Sequence, residues 1–404
     1  MSAPPIAVEL AELVIDHLSD DPKTLATCSL VCSTWIARTR HLMFETVHLN
    51  PRRSKTFIRL LSCVYSTILP HIHRLDIDCQ ATRVLSDEES TLSFDRFLLA
   101  LNKINVLHDI RILCLQDVDW TTYPLDVQSS IAATFHGVFP SVTHLQLNQV
   151  VLHDIRQLNR VLRSLPELER LEASLKFLKY PEYAMGHPGE ESRLPRNLKD
   201  IELGDEGMAV VLGCLGAQSF AGSIGSLSLK GCPMEMFPRV SGALHALSTT
   251  LKTLHISFLP EYGHHQGPTL PLQETREPFY LPGQIPLLAS GGIDLAIGSK
   301  TRDEKLRAIL DLLAGISCST SINFISLNFR IRSLACFDWN ALFNFFSIRK
   351  KLGSKQRVKI SLDLESGYTS FTTTMITEWA KANMGLLDSK AHSGVTILVT
   401  KSSA

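Results

Sequence analysis

Seven short segments of this chain repeat one pattern, apolar-x-x-Leu-x-Leu or close to it: residues 73–78, 110–115, 142–147, 168–173, 198–203, 224–229 and 251–256. Period-two alternation puts the Leu residues on one side of an extended chain and the residues between them on the other. Each segment therefore reads as a strand with one buried face. The central apolar residues are Leu75, Leu113, Leu145, Leu171, Ile201, Leu227 and Leu254, separated by 38, 32, 26, 30, 26 and 27 residues. Helix-like stretches lie between them, at 94–101, 127–139, 155–165, 209–215 and 240–247. A strand and a helix recurring every ~20–40 residues is what stacked repeats produce. An ordinary α/β sheet alternates in the same way. Against it, these strands are half-polar rather than continuously apolar, and no Gly-rich phosphate loop follows an early one.

The rhythm breaks at 260–292, which holds six prolines and five glycines, and more briefly at 180–197. That density of proline and glycine denies regular helix, so both read as insertions. Strands are expected again at 293–297, 322–331, 358–364 and 395–400. Helices are expected at 303–316, 340–352 and 374–387.

The N-terminal stretch differs. Leu10, Leu13, Val14 and Leu18 recur at helical spacing and make an apolar stripe, with Glu9, Glu12 and Asp16 mainly off it. Asp20-Asp21-Pro22 ends that helix and starts another: Asp21 can cap, and Pro22 suits the first helical position. Leu25, Cys28, Ser29 and Cys32 form a second, narrower face. Three short helices in about forty residues cannot bury this much apolar surface alone. The following domain, a partner, or both must cover the rest.

The order of these elements resembles an F-box. That family shows a Leu-Pro start, an apolar helix ending in Leu, an Asp-Pro-x-x-Leu turn and a Leu-Val-Cys-x-x-Trp core. Here they correspond to Ile6-Ala7, Leu10 to Leu18, Asp21-Pro22-Lys23-Thr24-Leu25, and Leu30-Val31-Cys32-Ser33-Thr34-Trp35. Ala7 stands where the family usually has Pro. The strand motif resembles an irregular leucine-rich repeat, of the kind that often follows an F-box. The usual Asn after the strand is mostly missing, with only Asn148 suitably placed. Together these resemblances imply an α/β chain: a three-helix F-box over 1–49, a short linker at 50–55, and a leucine-rich-repeat-like solenoid over 56–404. The solenoid would have a curved parallel sheet with helices on its outer face.

Composition narrows the function. Lys+Arg and Asp+Glu balance at 40 each, which removes the strongest electrostatic argument for a nucleic-acid partner. The basic run Arg349-Lys350-Lys351 reads as a solvated helix end. Nine scattered cysteines argue against a disulfide framework and for a reducing compartment, cytoplasm or nucleus. No signal peptide is expected, and the sequence has no sequon and no apolar run of membrane-spanning length. A search for chemistry returns little. Gly298-Ser299-Lys300-Thr301 has the wrong spacing for a phosphate loop, and Ala221 to Gly225 precedes a strand where a nucleophile elbow follows one. His71 and His73 lack a third ligand, and Cys28 with Cys32 lacks a completing pair. No catalytic set and no cofactor is expected.

Binding is the expectation instead. Arg74 and Asp76, His144 and Gln146, Arg170 and Glu172, Asp200 and Glu202, Lys230 and His255 alternate with the strand leucines, and line a mixed polar, concave face suited to a protein partner. The F-box resemblance implies docking to a Skp-type adaptor, and through it to a cullin-RING ubiquitin ligase, with the repeats holding a protein substrate. By the motif match, Ile6, Leu10, Ile15, Leu18, Leu25, Leu30, Val31 and Trp35 divide between the adaptor interface and the small helical core. The alternative is a repeat scaffold without ligase association.

Overall fold

The computed structural model describes residues 7–63, 67–79, 94–104, 107–123, 133–178, 194–204, 207–217, 224–232, 236–247, 250–258, 291–297, 322–331, 357–364 and 395–401. The chain divides into two compact units, Met1–Leu198 and Lys199–Ala404. That boundary falls inside the single repeat domain expected over 56–404.

The first unit opens with three helices, α1 (Val8–Asp16), α2 (Pro22–Cys28) and α3 (Ser33–Phe44). Asp21 caps α2 as its position suggests: Oδ1 accepts from the backbone N–H of Lys23 and Thr24, and Oδ2 from the Thr24 hydroxyl at 2.6 Å. Arg38 on α3 reaches Asp16 on α1, Nε to Oδ1 2.5 Å. Ala11, Ile15, Leu25 and Thr39 are the buried residues of these helices.

A strand follows at once. β1 (Thr46–Leu49) pairs in parallel with β2 (Arg74–Asp78), so the sheet begins inside the segment assigned to the helical domain. The linker expected at 50–55 is also helix. α4 runs Pro51–Leu61. Pro51 at a first helical position explains the start, since its missing N–H costs nothing there. The unit continues with α5 (Phe94–Ile104), β3 (Ile112–Gln116), α6 (residues 133–138), β4 (His144–Leu152), α7 (Ile155–Arg163) and β5 (Arg170–Phe177). Asp154 caps α7 by accepting from Gln157 N–H, while Gln157 Oε1 accepts from His153 N–H.

β1 to β5 lie in chain order, every neighbouring pair parallel. Val47, Leu75, Leu113, Leu145 and Leu171 fall in one register row. Leu75, Leu113, Leu145 and Leu171 are buried, with Phe97, Leu98, Phe135 and Leu162 from the helices and Phe139 just beyond α6. Trp120, Phe135 and Phe139 pack as tilted pairs, with ring centres 6.0 and 5.5 Å apart.

The second unit holds β6 (Asp200–Gly204), α8 (Met208–Ala217), β7 (Ser226–Cys232), α9 (Phe237–Leu247), β8 (Thr253–Phe258), β9 (Gly291–Ile297), β10 (Ile322–Ile331), β11 (Arg357–Leu364) and β12 (Val395–Lys401). Its strands are likewise parallel and in order. Ile201, Leu227, Leu254, Ile293, Ile325, Val358 and Val395 form its central row. The helices expected at 303–316, 340–352 and 374–387 lie outside the described residues, as does the insertion up to residue 290.

The fold is therefore α/β with open parallel sheets, compatible with a solenoid-like arrangement. Each of the seven motif strands exists, beginning one or two residues later than its motif. The displaced start has a physical cause. One backbone carbonyl ahead of each strand accepts two successive N–H groups of the next, as Glu45, His73, Arg111, Thr143, Lys199 and Gly225 all do, so ladder pairing begins only beyond it. The residue four places after the central Leu has φ 55° at Asp117, 55° at Gln149 and 64° at Gly231. At Asp117 the left-handed residue follows the end of β3, whereas at Gln149 and Gly231 it lies within β4 and β7, where the ladder register shifts as at a β-bulge.

Candidate functional site

Two surfaces collect the residues singled out by sequence. The first is on the N-terminal helices. Ile15 and Leu25 are fully buried and form the small core with Ala11. Leu10 and Val31 are 58% and 60% exposed, and Leu30 is 85% exposed. Val8, Leu13 and Val14 are exposed beside them, so the stripe on α1 faces outward rather than into the bundle. The reason is geometric. α1 packs on α3 through Ala11 and Ile15, one turn apart, and Leu10, Leu13 and Val14 lie around the helix from that line. Leu18 and Trp35 are half-buried, and Ile6 lies outside the described residues. The sequence motif brought in Leu10, Leu30 and Val31 but passed over Val8, Leu13 and Val14. The helical period that marked the latter two does not say which way a stripe faces.

Cys32, next to Val31, is exposed and occupies the residue position just before α3, without a side-chain cap hydrogen bond. The Thr34 hydroxyl, 3.0 Å from its sulfur, and the Trp35 backbone N–H hold its thiol below the ordinary range.

The second surface is the face of the first unit's sheet opposite the leucine row. In register, Arg74, Ile112, His144 and Arg170 form one line, and His48, Asp76, Cys114, Gln146 and Glu172 the next. These groups join into one ladder across β1 to β5. His48 Nδ1 stands 3.0 Å from Asp76 Oδ2, and Arg74 Nε 2.8 Å from Asp76 Oδ1. Arg74 Nη2 then crosses β3 to donate to Gln146 Oε1 at 2.9 Å. Gln146 Nε2 donates to Glu172 Oε2 at 2.8 Å. Glu172 Oε1 meets Arg170 Nη2 at 2.6 Å and His144 Nε2 at 3.1 Å. The His144 contact has the geometry of an ion pair rather than a directed hydrogen bond, and burial holds that imidazole below its ordinary value despite Glu172.

Arg74 bridges over β3 because that strand offers no polar partner. Ile112 and Cys114 stand at the two places where the other strands carry charge or amide. Cys114 is buried under the bridge, accepts from Asn148 Nδ2 at 3.4 Å, and is pushed up to about 11 by burial. All six predicted residues of this unit, Arg74, Asp76, His144, Gln146, Arg170 and Glu172, belong to the ladder. His48 and Cys114 were missed. His48 carries the same alternation, Val47-His48-Leu49, but was counted within the helical domain.

In the second unit Asp200 and Glu202 occupy the corresponding places on β6, with His255 in the Glu202 row on β8. Lys230 pairs with Glu202.

Among the described residues no group of three His, Cys, Asp or Glu side chains is gathered to hold a metal ion. No helix among them is long and apolar enough to cross a membrane. No protein-family model and no curated protein sequence matches this chain.

Proposed function

We propose that this chain is the substrate-recognition subunit of an SCF-type ubiquitin ligase. An N-terminal F-box docks a Skp-type adaptor, and a leucine-rich-repeat-like solenoid holds a protein substrate on its open face. The observation that carries the reading is the outward set of large apolar residues, Val8, Leu10, Leu13 and Val14 on α1 and Leu30 and Val31 in the turn between α2 and α3. So many large apolar side chains left exposed within one short segment are the mark of an interaction site. Leu10, Leu30 and Val31 are also the motif positions by which the segment resembles an F-box.

The chain performs no bond chemistry in this reading. It raises the effective concentration of substrate lysines beside a charged ubiquitin-conjugating enzyme. The polar ladder favours a protein partner over nucleic acid, since its acids and bases answer one another within the sheet and leave no basic field.

The test is co-purification of the full chain with a Skp-type adaptor, beside Leu30→Asp and Leu10→Asp variants. Capture that both variants abolish supports the reading. Absence of capture by the unaltered chain refutes it and leaves the scaffold alternative.

A further inference from the structure

His71 and His73 are paired in sequence without an apparent third partner, and the fold supplies one. His41, near the end of α3, places its ring 5.5 Å from that of His73 and 6.3 Å from that of His71, edge to face in both cases. All three are half-buried where α3 packs against the 3-10 turn Leu69–His71 and the start of β2. The same junction carries the backbone link between the helices and the sheet. The Glu45 carbonyl accepts from the N–H groups of His73 and Arg74 at 3.0 and 2.9 Å.

We propose that His41, His71 and His73 form a proton-operated latch at this junction: with His71 neutral the packed rings hold the N-terminal helices against the sheet, and a proton on His71, beside the other two rings and Arg40, releases them. The latch follows from the junction alone and holds whether or not the helices dock an adaptor. His73 Nδ1 lies 2.9 Å from the His71 carbonyl oxygen, so it donates there and ties the two residues together. The groups facing the cluster offer a second positive charge little relief. Arg40, next to His41, donates to the Thr67 hydroxyl and adds its own charge. Burial first, then His41, Arg40 and His73, hold His71 below its ordinary value of 6.5. On the acidic side, Asp16 feels the charges of His17 and His41 but is already held by Arg38 at 2.5 Å, and Glu12 and Glu45 also act on Arg38. His17 on α1 is turned to the Leu13 carbonyl, and Arg74 to Asp76 and Gln146. A metal does not explain the cluster, since the three side chains are not gathered for coordination.

Opening the junction returns the His71 imidazole to water and away from His41, Arg40 and His73, so that it takes up its proton more readily. Each proton gained on opening makes opening about tenfold more favourable per pH unit below the ordinary value. The experiment is hydrogen–deuterium exchange on the full chain at pH 7.5 and 5.5, corrected for intrinsic exchange. Peptides covering residues 33–44 and 69–78 are compared with α7 as reference. Opening of the two junction segments is expected to rise at least about tenfold on acidification, with α7 nearly unchanged. His71→Gln and the double variant His41→Gln, His73→Gln are expected to flatten that response, and His71→Lys to open the junction already at pH 7.5. The proposal is overturned if the double variant keeps the full pH response, if His71→Lys stays closed at pH 7.5, or if α7 opens as much as the junction.

Discussion

The exposed and buried leucines of the N-terminal helices make a sharp contrast to test. Leu25 is fully buried in a helix of seven residues, inside a core that includes little besides Ala11, Ile15 and Thr39. Leu25→Ala removes its packing and leaves a cavity, a loss of about 2–5 kcal/mol for such a site. About 3 kcal/mol lowers the protection of the α1–α3 amides by roughly a hundredfold. Leu30 is 85% exposed. The covered remainder is worth about 0.4 kcal/mol on the ~2.5 kcal/mol scale of full leucine burial, less than a twofold to threefold change in protection. Hydrogen exchange of the α1–α3 peptides in the full chain, with α7 as internal standard, measures both. If Leu30→Ala lowers protection as much as Leu25→Ala, the outward apolar set is packed within the chain. The docking argument built on its exposure then fails.

Other predictions follow from the ladder, the turns and the cysteines. Replacing Glu172 by Leu strands two donors, Gln146 and Arg170, removes the acid beside His144, and is expected to destabilise the first unit by roughly 1–3 kcal/mol, with Arg170 contributing least because it is half-exposed; a drop in its denaturation midpoint at unchanged slope would register it. His144 is held below its ordinary 6.5, so its neutral form is favoured on folding. Its contribution is intact above pH 6.5 and is lost as pH falls through the lowered folded value; His144→Gln is expected to shrink the acid loss of stability in that window. Gly231 at φ 64° does not tolerate a β-branched side chain, and Gly231→Val is expected to cost about 1–3 kcal/mol in thermal unfolding, whereas Asp117→Gly is close to neutral. Iodoacetamide at neutral pH is expected to label exposed Cys32 well before Cys79 and Cys114, whose thiols burial pushes up to about 12 and 11; peptide mass spectrometry gives the order.

Much of the fold was legible because its strands are locally encoded. An alternation over six residues states which side chains go inward, and the central leucines do meet in register rows. The ladder was legible for the same reason, since residues between buried leucines must face the other way. Two boundaries were misread. β1 is only four residues long, too short for its own alternation to stand out beside the helical motif around it. The segment 50–55 is rich in Arg, Lys and Asn, which suggested a connection, but Pro51 at the first turn and Phe57 and Leu61 on one buried face make it helix.

The outward turn of the α1 stripe was not legible at all. A helical period is the same for a stripe packed inside and one left bare, and only the packing of Ala11 and Ile15 on α3 decides between them. The same holds for Arg74, whose reach to Gln146 spans 72 residues of chain and exists because β3 has Cys114 between them. The sequence alone determined which residues alternate, which helices are capped and how often the pattern returns, because those properties are settled within one or two turns of chain. Which stripe stays exposed, which histidine completes the trio and which charges meet across a strand were decided by tertiary structure. Those contacts join residues that are neighbours only after the intervening chain has folded back.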